Sequence, residues 1–253
     1  MDIPTDIENA LKKFNGLKDD EKAKAITLIL NEVATKKNKN GESILEKYFD
    51  IKNIILQIEK VINKETGKRG NARSDIIGDS KIIFIDIEKA GDFYNALLKI
   101  DRLLNLNENE ILAISYYAHE YIHHLQKELW NIDIKKRKGK IASAISETLT
   151  ELIGRKLTIN YLCDIYGKGK ASYFAKILNK DGAYNTTVDR FRTFFNSLGK
   201  KNILNEIEDM LNTIDHKEIV KNLVDLVNEG REIKLDNEYI VDILLGRKWI
   251  KES

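Results

Sequence analysis

Three of the chain's four histidines fall in one short stretch, His119-Glu120-Tyr121-Ile122-His123-His124. The first five residues form the pattern H-E-x-x-H, in a segment whose apolar periodicity is helical. Residues four apart project from one helix face a turn apart, so the imidazoles of His119 and His123 suit a single metal ion. Glu120, between them, is placed to take a proton from a water at the metal's open position. These residue types at this spacing point to zinc-dependent hydrolysis. His124 projects well away from the pair and is set aside as a ligand; an exposed or loop-contacting histidine is expected there.

Two histidines leave a catalytic zinc site one protein ligand short. The only histidine beyond this stretch is His216. His123 is followed by His124-Leu125-Gln126-Lys127-Glu128, so the glycine-bearing H-x-x-G-x-x-H continuation is absent. A second helical segment offers carboxylates. In Ser146-Glu147-Thr148-Leu149-Thr150-Glu151-Leu152, Glu147 and Glu151 share a face with the small residues Ser143, Ala144, Thr148 and Gly154. Ile145, Leu149, Leu152 and Ile153 lie on the other side. A face of small residues carrying two acids allows another helix to approach closely, whereas a plainly solvated face would carry longer charged side chains.

His119-Glu120-x-x-His123 followed by Glu147-x-x-x-Glu151 resembles the gluzincin group of zinc metallopeptidases, in which an H-E-x-x-H helix precedes a helix carrying E-x-x-x-D or E-x-x-x-E. The string Glu147-Thr148-Leu149-Thr150-Glu151 is similar to the E-G-L-T-E segment of bacterial and phage-borne members, with Thr148 standing where many carry glycine. The resemblance spans about Ile82 to Leu198. It implies a zincin-like core, Zn2+ as cofactor, a peptide or protein substrate and Glu147 as third ligand. It also implies that Glu151 accepts a hydrogen bond from the far nitrogen of His119, fixing its tautomer.

The chemistry expected is hydrolysis of a peptide bond by a zinc-activated water, with Glu120 as general base. The tetrahedral oxyanion needs a donor, and Tyr184 is the first candidate. It follows Lys180-Asp181-Gly182-Ala183, and a tyrosine ahead of a Val188-bearing helix resembles a downstream segment of the same metallopeptidases. His216, Arg190 and Tyr166 are alternatives. The rival function is a non-catalytic or regulatory protein on a zincin scaffold that binds a partner protein; Glu120 argues against it, since such a protein needs no general base. A di-iron bundle would require a second E-x-x-H, which the chain lacks.

Composition sets the bounds. The 253 residues carry 42 Lys and Arg against 40 Asp and Glu, a formal charge of +2 that gives no electrostatic case for nucleic acid. Lys36-Lys37 and Lys135-Lys136-Arg137-Lys138 read as solvated loops. One cysteine, Cys163, forbids an intrachain disulfide and a cysteine-based zinc knuckle, and a buried thiol is expected. The acidic start, Met1 to Asp6, lacks a basic, then apolar leader, and no stretch is apolar enough to span a bilayer. A cytoplasmic location is expected, with export by another route or a phage or mobile-element setting left open.

The elements that must hold the site are mostly helical, giving an α+β chain with a small β-sheet. Two helices are expected over Asp6 to Lys36, broken near Gly16, and another over Ile44 to Asn63, where Ile51, Ile55, Ile58 and Ile62 keep a helical period. Lys81 to Ile87 is the one convincing strand, with Ile76 and Ile77 opening a partner that turns at Gly78-Asp79. Two readings of Lys81 to Ile87 stand open: an edge that takes an extended peptide, or simply a core or edge strand of the sheet. A helix over Phe93 to Leu104 precedes the motif helix, for which Asn107 to Glu110 supply a cap. Beyond a charged loop at Asn131 to Gly139, helices are expected over Lys140 to Leu162, Tyr173 to Leu178, Thr187 to Leu198, Asn202 to Leu211, His216 to Asn228 and Tyr239 to Leu244. The expected division is an N-terminal helical region (1–66), a catalytic core (67–165) and a C-terminal helical subdomain (166–253).

Overall fold

The computed structural model describes residues 4–37, 41–62, 67–125, 137–180, 185–199, 206 and 219–244, with backbone alone at 137–143, 185, 219 and 220. The described chain is predominantly helical, with a three-stranded sheet. By packing it forms two compact units, Met1–Tyr121 with Gly154–Asn179, and Ile122–Ile153 with Lys180–Ser253.

In the first unit, α1 (Thr5–Asn15) and α2 (Asp19–Ala34) flank the break at Gly16. The helix expected over Ile44 to Asn63 does not form. Turns and a short 3-10 segment lead instead into β1 (Ile54–Glu59). The reason is tertiary: Ile54-Ile55-Leu56-Gln57-Ile58 is a β-branched run that pairs in parallel with β3 (Ser80–Asp86), Ile54 opposite Lys81 through Glu59 opposite Asp86. β2 (Ala72–Ile77) joins β3 as an antiparallel hairpin. Gly78 has φ +60° and no non-glycine residue of the turn has positive φ, as a two-residue type II′ turn requires. The strand order is β1-β3-β2. β3 is thus central and bonded on both sides, so of the two readings it is the core strand and offers no free edge to a peptide.

Ile82, Ile83, Phe84, Ile85 and Asp86 are all buried, so β3 is covered on both faces. Ile82 and Phe84 pack with Val61, and the Arg73 guanidinium lies 3.8 Å over the Phe84 ring. Buried Asp86 accepts from Arg69 Nε at 2.9 Å and from the N–H groups of Val61 (3.0 Å) and Glu88 (2.9 Å). Burial alone would raise its pKa; the Arg69 guanidinium and the two backbone donors outweigh it, and the carboxyl is held below its usual range.

α3 (Ala90–Asp101) packs on α1 and α2, with Phe14 stacked on Tyr94 at 4.2 Å. α4 (Glu108–Leu125) is the motif helix, and α5 (Arg137–Tyr166) begins earlier than expected, so Arg137 to Gly139 are helical. Phe49 sits edge-on to Tyr117, Tyr121 and Tyr161 at 5.5, 5.3 and 5.5 Å, tying the parts of α4 and α5 that belong to this unit to the chain ahead of β1. α6 (Ala171–Lys180) completes the unit. Cys163 is half-exposed rather than buried.

The second unit contains α7 (Asn185–Ser197), α8 (Ile219–Asn228) and α9 (Asn237–Leu244), with α9 packed on both others. Its core includes Phe191, Phe195, Leu223, Val227, Ile240 and Ile243. Of the helix expected at Asn202 to Leu211 only residue 206 is described, as helical, and the first residues of the one expected from His216 lie outside the described residues.

Candidate metal centre

The motif helix is fixed at its start before the site is reached. Asn107 Oδ1 accepts the Glu110 N–H (3.0 Å), and Glu110 Oε2 accepts the Asn107 N–H (2.7 Å), a reciprocal cap. The other oxygen of Glu110, fully buried, accepts from Lys99 Nζ and Asn95 Nδ2, each at 2.6 Å. A buried carboxylate is tolerated here because every donor is supplied and because it lies in the first turn, where the helix dipole favours negative charge. Reading the sequence found the cap but missed Lys99. Its one signal is a lysine inside the apolar run Ala96-Leu97-Leu98-Lys99-Ile100.

Three turns on, His119 and His123 share one face of α4. One ligand atom from each of His119, His123 and Glu147 lies within 4.8 Å of the others. His123 is buried, and His119 and Glu147 are half-buried. His123 Nε2 stands 3.5 Å from Glu147 Oε2. A tetrahedral ion with arms of about 2.1 Å keeps its ligand atoms about 3.4 Å apart, so this pair already has the span of two ligands on one zinc. Two imidazoles and one carboxylate are also a donor set that zinc takes in catalytic sites. The residues present fit the ion.

The approach of α5 to α4 depends on Gly154. A Cβ there would stand 3.2 Å from the backbone N and Cα of His119 and 3.6 Å from the carbonyl carbon of Ala118. The second helix thus comes close where the first carries its first histidine. Of the small residues singled out in the sequence, Gly154 serves this approach; Ile145, Leu149, Leu152 and Ile153 are buried. Thr148 bends its hydroxyl back to the Ala144 carbonyl (2.9 Å), which satisfies a polar group on a buried stretch.

Glu120 is half-buried beside the two histidines in sequence, and Glu151 is half-buried one turn beyond Glu147. Neither is one of the three grouped donors. His124 is buried, so of the two expected settings the exposed one is excluded. Tyr184 and His216 lie outside the described residues. Of the alternative donors, Arg190 is exposed on α7. Tyr166 already donates to the Leu104 carbonyl at 2.8 Å, and its burial pushes the phenol pKa up.

No family model, no curated protein and no solved structure matches the chain. Among the described residues, no helix is long and apolar enough to cross a membrane.

Proposed function

We propose that the chain is a zinc-dependent metallopeptidase. The observation that carries the reading is the convergence of His119, His123 and Glu147, on two helices, with ligand atoms within 4.8 Å of one another. Beside it stands the H-E-x-x-H spacing, which supplies a glutamate next to the first ligand. A zinc ion held by these three side chains would supply Lewis acidity and lower the pKa of a water at its remaining position.

The chain's own residues would do the rest. Glu120 would accept a proton from the water as it adds to the peptide carbonyl carbon. It would then deliver that proton to the amine nitrogen as the C–N bond breaks. Glu151, by the gluzincin resemblance, would hold the His119 ring through its other nitrogen. The Tyr184 hydroxyl is proposed as the donor to the carbonyl oxygen.

The test is a peptide library incubated with the protein, with and without a chelator. Cleavage that the chelator removes, and that Glu120→Gln lowers by at least about 100-fold while zinc stays bound, is the expected result. Bound zinc with no cleavage of any peptide would instead favour the non-catalytic, partner-binding reading. Tyr184→Phe is expected to lower turnover with zinc content unchanged; unaltered turnover removes Tyr184 from the mechanism.

A further inference from the structure

Tyr121 stands inside the H-E-x-x-H motif, between the two histidines, and leaves α4 on the other side. At about 100° per residue, His119 and His123 are about 40° apart around the helix, and Tyr121 lies about 180° from the line midway between them. Tyr117, one turn earlier, shares that rear face. Both rings are buried. Phe49 meets them edge-on, at 5.5 Å for Tyr117 and 5.3 Å for Tyr121. The next residue, Asp50, donates its backbone N–H to the Tyr121 hydroxyl at 3.0 Å. Two consecutive residues thus hold the rear of the motif helix, one by a ring and one by a hydrogen bond.

Those two residues are themselves fixed. The Phe49 N–H donates to the Leu45 carbonyl (2.9 Å) and the Ile51 N–H to the Phe49 carbonyl (3.0 Å). Asp50 precedes the 3-10 turn Ile51–Asn53, which runs directly into β1. Just upstream, the Lys47 ammonium and the Tyr48 hydroxyl both donate to Asp164 Oδ2 of α5, each at 2.7 Å. Tyr161 makes an internal contrast. Its ring packs on Phe49 at 5.5 Å and is fully buried, yet its hydroxyl meets no hydrogen-bond partner among the described residues. Two buried tyrosines share one neighbour, and Tyr121 is the one whose hydroxyl is bonded to the backbone beside it.

We infer that Tyr121 is a positioning residue for the metal centre: its hydroxyl, held by the Asp50 N–H, fixes the rotation of α4 about its axis and so the direction in which His119 and His123 present their imidazoles. This role rests on the metallopeptidase reading and adds a working part to its site. Rotation is the motion that matters. A turn of about 10° carries a ligand atom about 5–6 Å from the helix axis through about 1 Å, while metal–ligand distances hold to within about 0.2 Å. Ring packing is not directional, whereas a hydrogen bond weakens steeply as its angle closes. Placed opposite the ligands and level with the gap between them, this one resists rotation in either sense. Tyr121 touches neither metal nor substrate in this role; it acts through the helix that carries the histidines.

The test loads the full chain with cobalt(II), whose visible absorption reports ligand number and geometry, and compares Tyr121→Phe with the wild type. The variant keeps the ring and loses only the hydroxyl. Its far-ultraviolet circular dichroism is expected to match the wild type. Its cobalt spectrum is expected to change, with cobalt bound at least about 10-fold more weakly. With zinc, kcat on a cleaved peptide should fall about 10- to 100-fold while KM stays within about 2-fold. Tyr161→Phe, which removes the unpartnered hydroxyl from the same ring cluster, should leave spectrum, affinity and kcat unchanged. A Tyr121→Phe protein with the wild-type spectrum and affinity overturns the inference and leaves the metallopeptidase reading standing. Equal changes in Tyr161→Phe also overturn it, by assigning the effect to packing of the rings. The expected spectral change without hydrolysis of any peptide by the wild type would support the positioning role and overturn the metallopeptidase reading instead. Wild-type protein that takes up no cobalt overturns both.

Discussion

At each end of α4 a carboxylate meets a nitrogen from another helix, at different distances. At the start, Lys99 Nζ and Glu110 Oε1 are 2.6 Å apart, a direct bond in a buried setting. Near the end, His123 Nε2 and Glu147 Oε2 are 3.5 Å apart, with His119 in the same group. The first distance is that of a finished charge-assisted hydrogen bond. The second is the span two ligands keep around a shared ion. One end holds the helix in place; the other, on the proposed reading, would hold an ion.

The largest effect that would sharpen this contrast is at the stabilising end. Glu110→Ala removes the cap, the Lys99 partner and the Asn95 acceptor together, and should cost about 3–5 kcal/mol in chemical denaturation. Lys99→Met combined with Glu110→Leu should cost clearly less than Lys99→Met alone, because no buried charge is left unpaired. Equal losses would mean that the pair is not coupled. By contrast Glu147→Ala should leave stability without added zinc within about 1 kcal/mol of wild type.

A second buried acid sets the scale for pH. Asp86 has a depressed pKa in the fold, so its contribution is present above the unfolded carboxyl range and fades as pH falls through the folded value. Asp86→Asn should cost about 2–3 kcal/mol at pH 7 and should flatten the loss of stability on acidification. An unchanged acid slope would show that Arg69 does not hold this carboxylate.

The smallest effects test the helix approach. Gly154→Val should push α5 from α4 at His119, cost about 1–3 kcal/mol and weaken zinc binding more than it weakens the fold. Gly154→Ala should sit near zero. The helix-propensity gain of about 1 kcal/mol offsets the crowding from a Cβ 3.2 Å from the His119 backbone. If Gly154→Val left zinc affinity unchanged, the close approach would not be what sets the ligand geometry.

Much of this was legible from local pattern, because helices report themselves through period and caps. The break at Gly16, the Asn107 cap and α4 itself follow from neighbours in sequence. β1 was read as helix because Ile51, Ile55, Ile58 and Ile62 satisfy a helical period. What makes it a strand is β3, 27 residues further on, which no local window contains. The same holds for β3 lying centrally in the sheet. In the site, His119 and His123 were fixed by the motif, whereas Glu147 and Glu151 were equivalent until a family resemblance ranked them. The separation of Glu147 from His123 is a property of how two helices pack, and the sequence shows only the small residues that permit it. Lys99 was invisible for a like reason, since its partner is on another helix.

The most direct test of the central claim is zinc content by mass spectrometry on purified protein and on Glu147→Ala, after dialysis against a weak chelator. The account predicts close to one zinc per chain in the wild type and a loss of most of it in the variant. Metal-free wild-type protein in zinc-replete buffer, or a variant that holds zinc as well as its parent, would contradict it.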